Sequence, residues 1–204
     1  MTIFAFMDVE TTGLKPGHDR ILEVAWKLTD ESFKSLTRPH TFIVEHDDNW
    51  GDVWALYNEA PEAVREMHKK SGLYQNMLSH FGYSLDAISQ AFRIDVTLAT
   101  KELDPDEKLT LRMAGFSPWF DANFLKHTWG FGTMFDYGTD EIQFDHRLLD
   151  LSAFKVMWPL VGLEAPKPLN LNPHRALYDV NESIAFARSI YTQLSASDIL
   201  EVTV

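Results

Sequence analysis

The chain has 204 residues, of which 45% are apolar and 24% charged, a composition typical of a globular protein. It contains no cysteine, which excludes disulfides and thiolate metal sites. The net charge of −12 argues against long-range steering of a large polyanion but leaves local binding of a small nucleic acid open. No apolar run approaches 18 residues and no signal segment is recognisable, so we expect one cytoplasmic domain over residues 1–204 without a membrane segment.

Apolar runs and turn residues predict three strands, then helices, then two more strands that alternate with helices. The predicted strands are 3–9, 20–29, 33–45, 109–116 and 147–151. The predicted helices are 61–70, 73–80, one capped by Ser84, 119–127, 152–158 and one from Asn172-Pro173 to about Leu194. The segment around Trp54 and residues 130–145 and 162–173 are predicted as loops. This order predicts an α/β fold, with a mixed sheet that opens as an antiparallel meander and has helices on its faces.

Two carboxylates, Asp8 and Glu10, lie at the end of the first predicted strand. Because side chains alternate along a strand, both point to the same face of the sheet. At about 4 Å and an effective dielectric constant near 20, their repulsion costs roughly 4 kcal/mol. The pair therefore predicts either a shared proton or a cation held between the two carboxylates.

Three further residues fit the same site. Asp121 lies near the start of the helix that follows the fourth predicted strand, and Asp179 lies five residues after His174 in the first turns of the last helix. An aspartate near a helix start more often only complements the helix dipole, so the set is more informative than either residue alone. Four carboxylates at one side of a sheet require divalent cations, for which oxygen ligands favour Mg²⁺ or Mn²⁺. Two such ions about 4 Å apart form the two-metal site of phosphodiester hydrolysis.

Five segments of the chain match the motifs of one known family. They are Asp8-Val9-Glu10-Thr11-Thr12-Gly13-Leu14, His68-Lys69-Lys70-Ser71-Gly72-Leu73, Gly115-Phe116-Ser117 with Asp121 four residues later, Arg147-Leu148-Leu149-Asp150-Leu151-Ser152, and His174-Arg175-Ala176-Leu177-Tyr178-Asp179. Together they resemble the DEDDh family of 3′→5′ exonucleases, and within it the oligoribonucleases, over nearly the whole length. The resemblance implies a ribonuclease H-like fold, with a mixed five-stranded sheet flanked by helices, and a homodimer.

The resemblance also implies what the site does. It implies hydrolysis of short single-stranded RNA, down to dinucleotides, to nucleoside 5′-monophosphates with two Mg²⁺ or Mn²⁺ ions. Asp8, Glu10, Asp121 and Asp179 would be the metal ligands, and His174 would take the proton from the attacking water, as an imidazole can near neutral pH.

The residues that the resemblance assigns to substrate binding are Thr11, Gly13, Leu14, His68, Ser117, Arg147 and Ser152. Leu14 would separate the two terminal bases, and His68 would contact the 3′ nucleotide. Arg147 and the two serines would bind the 5′ phosphate and so limit the length of the substrate.

The chain departs from the oligoribonuclease pattern at three positions. Thr11 replaces the usual Met, Ala63 replaces a base-stacking Trp, and His146 replaces a Tyr before the arginine. These differences leave open a 3′→5′ exonuclease on single-stranded DNA or longer RNA, of the proofreading or ribonuclease T type. A non-catalytic nucleotide-binding or scaffold protein is a third hypothesis, but such proteins typically lack one of the carboxylates, and this chain has all four.

Overall fold

The apolar run that opens the chain forms the central strand of a mixed sheet, β1 (Thr2–Thr11). The computed structural model describes residues 1–45, 51–101, 109–136, 142–160 and 173–196. The other four strands found in these ranges are β2 (Ile21–Thr29), β3 (His40–Ile43), β4 (Thr110–Gly115) and β5 (Leu149–Asp150). Their order is β3-β2-β1-β4-β5, with β1, β2 and β3 antiparallel in succession and β4 and β5 parallel to β1. The predicted meander and the mixed five-stranded sheet are confirmed.

Helices cover both faces of this sheet. In the described ranges they are α1 (Gly51–Glu59), α2 (Glu62–Ser71), α3 (Leu73–Ser79), α4 (Leu85–Thr100), α5 (Pro118–Lys126), α6 (Trp129–Gly132), α7 (Ser152–Leu160) and α8 (Ala176–Ala196). The predicted cap of α4 is confirmed, because Ser84 Oγ accepts the Ala87 N–H at 3.2 Å. None of the helices in the described part of the chain is long and apolar enough to cross a membrane.

The strand predicted over residues 33–45 is interrupted, and only β3 within it is a regular strand. One Asp30 carboxylate oxygen accepts the main-chain N–H groups of Ser32 and Lys34 at 2.9 and 2.8 Å. Phe33 lies between them in the left-handed region, with φ of +61°. This side-chain turn reverses the chain after β2, so that Ser35 forms an isolated antiparallel bridge with Thr29 before β3 begins.

Two segments predicted as loops contain helices. Trp54 lies in α1, and residues 130–145 begin within α6, which is followed by a 3-10 turn at Thr133–Phe135. Gly130 falls in a predicted loop but lies in α6, close to α4. A Cβ at this position would collide with the Ser89 side chain of α4. Residues 137–141, 161–171 and Asn172 lie outside the described residues, and so does most of the predicted 162–173 loop.

The last helix begins at Ala176 rather than at Pro173 as predicted. His174 interrupts the helical conformation, since its φ of +66° lies in the left-handed region. Helix α7 also differs slightly from its prediction, because it includes Pro159 and ends two residues later.

The alternation of side chains along β1 divides the core into two layers. Ala5, Met7 and Val9 pack on one side with residues of α4, α5 and α6, whereas Phe6 packs on the other side with residues of α8. Asp8 and Glu10 have the same parity as Phe6, so they continue its row on the α8 face. The apolar part of that row anchors the strand, and its end presents two carboxylates.

We predict that Phe92→Ala lowers the free energy of unfolding by about 3–5 kcal/mol, the usual cost of removing a buried phenyl ring. Phe92 is fully buried and its ring lies 5.7 Å from Trp26 and 5.6 Å from Phe144, centroid to centroid. Urea unfolding monitored by circular dichroism measures the change. Phe81→Ala is the matched control, because Phe81 is 96% exposed and its removal should change stability by less than about 0.5 kcal/mol. Equal stability of the two variants would contradict this description of the core.

Candidate metal centre

Three carboxylates from two elements meet at the end of β1. Asp8 and Glu10 come from the strand, and Asp179 comes from the first turns of α8. One ligand oxygen from each lies within 4.8 Å of the other two. On the neighbouring strand β2, Asp8 lies opposite Ala25 and Glu10 lies opposite Glu23. The strand register shifts by one residue immediately after Glu10. The sheet therefore holds two of the three side chains on rigid, paired backbone.

Asp121 approaches the same point from the opposite side of β1. It lies in the first turn of α5, is almost completely buried, and accepts the Val9 N–H on Oδ1 at 2.9 Å. Val9 separates Asp8 from Glu10 in the chain, so this bond ties α5 to the backbone between the two carboxylates. The structure thus brings together all four predicted carboxylates, with three sharing a close ligand set and Asp121 adjacent to them.

The pKa values of all four carboxyl groups are raised, which shows that negative charge is poorly compensated at this site. Burial, followed by repulsion from Asp121 and Glu10, raises the pKa of Asp8 well above its usual value. Burial and then Asp179 raise the pKa of Glu10 to about 9. Burial also raises the pKa of Asp121 to about 7 and raises that of Asp179. Such a buried set of hard oxygen donors is the chemistry that suits a divalent cation such as Mg²⁺ or Mn²⁺.

His174 lies at the rim of this cluster, directly before α8. Its backbone N–H donates to Asp179 Oδ2 at 3.0 Å, and its side chain is exposed. It lines a cavity of about 750 Å³ together with Ala63, Met67 and Lys70. The sequence predicts His174 in the first turn of the last helix, where it can face the cleft of the carboxylates. The structure places it two residues before that helix, and its role in the reaction stays a prediction.

The structure also contains an ion pair that the sequence reasoning missed. Glu23 on β2 is 1% exposed and binds Arg175 through Nη2 at 2.7 Å and Nε at 3.2 Å. A signal for it exists, because Glu23 is the one acidic residue of β2 and has apolar neighbours on both sides in the sequence. A buried carboxylate requires a charged or hydrogen-bonding partner. The sequence does not show which residue that partner is.

His68 lies beneath the strand end rather than on its surface. It is fully buried, and Nε2 lies 2.8 Å from the Thr11 carbonyl oxygen, so Nε2 carries the proton that it donates. Nδ1 has no hydrogen-bond partner and lies 3.7 Å from Glu10 Oε2. Burial lowers the pKa of His68, and the hydrogen bond from its ring supports the backbone at Thr11. Contact between His68 and a nucleotide stays a prediction.

Leu14 projects from a tightly bonded loop after β1 and is 77% exposed. The loop is closed by hydrogen bonds in both directions between Thr12 and Arg20, each of 2.9 Å. The Asp19 carboxylate fills the space where a Cβ on Gly13 would lie, so only glycine fits there. The predicted wedge is therefore an exposed apolar side chain on a rigid support.

Thr11 ends β1 at the base of this loop. Its hydroxyl donates to the Gly13 carbonyl oxygen at 2.6 Å. This hydrogen bond joins Thr11 to Gly13 in the segment that immediately follows Glu10.

Ser117 and Ser152 lie together at a second edge of the site. Their hydroxyl oxygens are 3.0 Å apart, and both backbone N–H groups donate to the same Asp150 oxygen, at 3.1 and 2.8 Å. Ser117 has a φ of +53° and directly precedes α5. Arg147 is exposed and lies five residues before Ser152, with its N–H bound to Asp145 Oδ1 at 2.8 Å.

Comparison with known proteins adds independent information. No protein-family model matches the chain. The oligoribonuclease of Colwellia psychrerythraea is 31% identical over 193 residues, which cover 93% of this chain and 93% of the relative. The oligoribonuclease of Streptomyces avermitilis is 29% identical over 188 residues, or 90% of this chain and 82% of the relative.

Among solved structures, Escherichia coli exonuclease I in complex with a dA16 oligonucleotide matches 96% of this chain, with a TM-score of 0.66 and 19% identity. Exonuclease I from Methylocaldum szegediense matches with a TM-score of 0.64, also at 19% identity. This chain spans 42% of the length of each of those two proteins. At this identity the match establishes the ribonuclease H-like fold.

The fold, the carboxylate cluster and these relatives define a 3′→5′ exonuclease, a hydrolase whose site can hold a divalent cation. The chain belongs to the oligoribonuclease family.

We predict that the metal-free protein loses stability as pH rises. Glu10 has a usual pKa of 4.5 and a folded value of about 9, so between these pH values the folded state binds more protons than the unfolded state. Stability then falls with rising pH, by up to about 1.4 kcal/mol per pH unit for each extra proton. Urea unfolding in a chelator between pH 5 and 9 measures this slope.

Glu10→Gln is the control, because it removes one titrating group and should make the slope shallower. Added Mg²⁺ should raise stability more at pH 8.5 than at pH 5.5, since the cation competes with protons for the same oxygens. A stability of the metal-free wild type that rises with pH over this range would contradict the description of the cluster.

Proposed function

We propose that this protein is a divalent-metal-dependent 3′→5′ exoribonuclease that degrades short oligoribonucleotides, down to dinucleotides, to nucleoside 5′-monophosphates. The observation that carries the proposal is the convergence of Asp8, Glu10 and Asp179 within 4.8 Å, beside Asp121 and His174, in a chain of the oligoribonuclease family. Single-stranded RNA is the substrate that the name of these relatives indicates.

Asp8, Glu10 and Asp179 would hold one Mg²⁺ or Mn²⁺ ion, and Asp121 with Asp8 would hold a second. Bound there, such ions supply Lewis-acid chemistry, making a water more acidic and neutralising charge on the phosphoryl oxygens. The fit rests on the donor set, which is all oxygen, buried, and short of positive charge.

The side chain of His174 would act as the general base. It would take one proton from the water that attacks the terminal phosphodiester, while the bond from phosphorus to the 3′ oxygen breaks. The water oxygen joins the phosphate of the released 5′-monophosphate, and a proton joins the leaving 3′ oxygen. The hydrogen bond from the His174 N–H to Asp179 keeps the base beside the carboxylates.

Length selection would come from Ser117, Ser152 and Arg147. The two hydroxyls lie 3.0 Å apart on backbone fixed by Asp150, and one of them donates to the other. If this bond opens, a terminal phosphate could accept from both hydroxyls and from the Arg147 guanidinium. Leu14, at the other side of the site, would separate the two bases of a dinucleotide.

A second candidate is a 3′→5′ exonuclease on single-stranded DNA or longer RNA. It is favoured by the fold match to exonuclease I bound to a dA16 oligonucleotide and by Thr11 and Ala63, which differ from the oligoribonuclease pattern. The homodimer, the single-domain organisation and the cytoplasmic location remain predictions. Analytical ultracentrifugation tests whether the protein is a homodimer.

We predict that Asp8→Asn lowers kcat by on the order of 10³-fold or more, because it removes a central charge of the ligand set at nearly constant shape. Release of 5′-monophosphates from a labelled dinucleotide in Mg²⁺ or Mn²⁺ measures it. Asp86→Asn makes the same chemical change at an exposed position on α4 and should leave the rate unchanged. Wild-type turnover by Asp8→Asn would end the two-metal proposal.

We predict that kcat/KM falls with substrate length in a series of labelled 2-, 5- and 20-residue RNA and DNA. Arg147→Ala should lower kcat/KM for a 5′-phosphorylated dinucleotide by roughly 10- to 100-fold, the usual effect of one charged hydrogen-bonding group. A dinucleotide without the 5′ phosphate is the control and should lose nothing more in the variant. A preference for the 20-residue substrates would favour the second candidate function instead.

A further inference from the structure

We propose that the buried Glu23–Arg175 ion pair is a positioning device for the candidate active site, which sets the turn that carries His174 and Asp179 against the strand that carries Asp8 and Glu10. This inference rests on the proposed function. It assigns a role in the reaction to two residues that lie outside the predicted ligand set.

The ion pair has the geometry of a fixed connection. Arg175 donates from Nη2 to Glu23 Oε1 at 2.7 Å and from Nε to both carboxylate oxygens at 3.2 Å. Glu23 Oε2 also accepts the N–H of Ala176, the first residue of α8, at 2.9 Å. The carboxylate thus holds both a side chain and the helix start, and its negative charge complements the helix dipole.

The pair joins two parts of the chain that the site requires in one place. Glu23 lies on the α8 face of β2, directly opposite Glu10 of β1 in the strand register. Arg175 follows His174, and its carbonyl oxygen accepts the Asp179 N–H at 3.2 Å. Residue 175 is therefore bonded to Glu23 through its side chain and to Asp179 through its backbone.

The backbone at His174 needs such support. Its φ of +66° is uncommon for a residue with a side chain and persists only where the surroundings determine it. The structure fixes this residue from both directions: its own N–H binds Asp179 Oδ2, and the next two residues bind Glu23. A left-handed residue held in this way at the rim of the carboxylates indicates a geometric requirement of the site.

Glu23 acts here as a support and not as a metal ligand. The close ligand set found in the described residues consists of Asp8, Glu10 and Asp179, and Glu23 is engaged by Arg175 and Ala176 instead. The guanidinium has a second effect, because its positive charge opposes the rise in the pKa of Glu10. Loss of Arg175 would therefore release the turn and also add uncompensated negative charge beside the cluster.

The test compares Arg175→Gln, Arg175→Lys, Glu23→Gln and the double variant Glu23→Gln/Arg175→Gln. We expect Arg175→Gln to lower kcat about 10- to 100-fold and to raise the Kd for Mn²⁺ about 10-fold, typical of residues that orient metal ligands. KM for the dinucleotide should change by less than about twofold, because neither residue belongs to the predicted substrate contacts and the two side chains bind each other. Arg175→Lys should recover part of the loss, and the double variant should be no worse than the more impaired single variant.

The matched control is Arg188→Gln. Arg188 anchors the same helix at a distant point, where it donates to the Phe33 carbonyl oxygen at 2.7 Å and to Ser35 Oγ at 3.2 Å. This variant should lose stability without a change in kcat or in the Kd for Mn²⁺. Circular dichroism at the assay temperature establishes the folded fraction of each protein. If Arg175→Gln does not fold, Arg175→Lys and Glu23→Gln decide the question, because the first keeps the positive charge and the second keeps the shape of the glutamate.

The inference is overturned if kcat and the Kd for Mn²⁺ in the Arg175 and Glu23 variants match those of Arg188→Gln, or if the effects of the two single changes multiply in the double variant. Calorimetric titration with Mn²⁺ keeps this outcome separate from the proposed function. A wild type that binds Mn²⁺ but cleaves no RNA would contradict the proposed function alone, and the Kd values of the variants would still decide the positioning role.

Discussion

Repulsion between buried carboxylates is the constraint on which the rest of this structure depends. Asp8, Glu10 and Asp179 bring their oxygens within 4.8 Å of one another, and Asp121 adds a fourth negative group. Burial and mutual repulsion raise the pKa of every one of them, so holding them together as anions costs free energy. The packing of the surrounding elements must offset that cost, and a divalent cation bound by the same oxygens would lower it.

The cluster is supported by apolar packing on both faces of β1, the strand that carries Asp8 and Glu10. One face of β1 continues from the buried ring of Phe6 into the carboxylates, while the other face inserts Ala5, Met7 and Val9 into the larger apolar layer. At the carboxylates β1 is paired with β2 on one edge, whereas its pairing with β4 ends at Phe6. On that second edge the Val9 N–H is bound by Asp121 instead, so the backbone between Asp8 and Glu10 is held from both sides.

The sequence predicts those parts of the site that depend on local pattern. Strand alternation places Asp8 and Glu10 on one face, and the helix starts place Asp121 and Asp179 near the same edge. It does not predict the Glu23–Arg175 pair, because the partners are 152 residues apart and only the fold brings them together. It also misses the left-handed turn at His174 and the burial of His68, since both follow from tertiary contacts that override local preference.

The start of helix α5 brings together two proposed functions, phosphate binding by Ser117 and metal binding by Asp121, within one matching segment of the sequence. Ser117 directly precedes the helix, and Asp121 lies in its first turn, bonded to the backbone between Asp8 and Glu10. Four residues along a helix span only about 6 Å. For the proposed substrate, the contact to the terminal phosphate and the contact near the scissile bond would therefore be a fixed distance apart. That distance, set by one turn of one helix, would limit the length of RNA that fits.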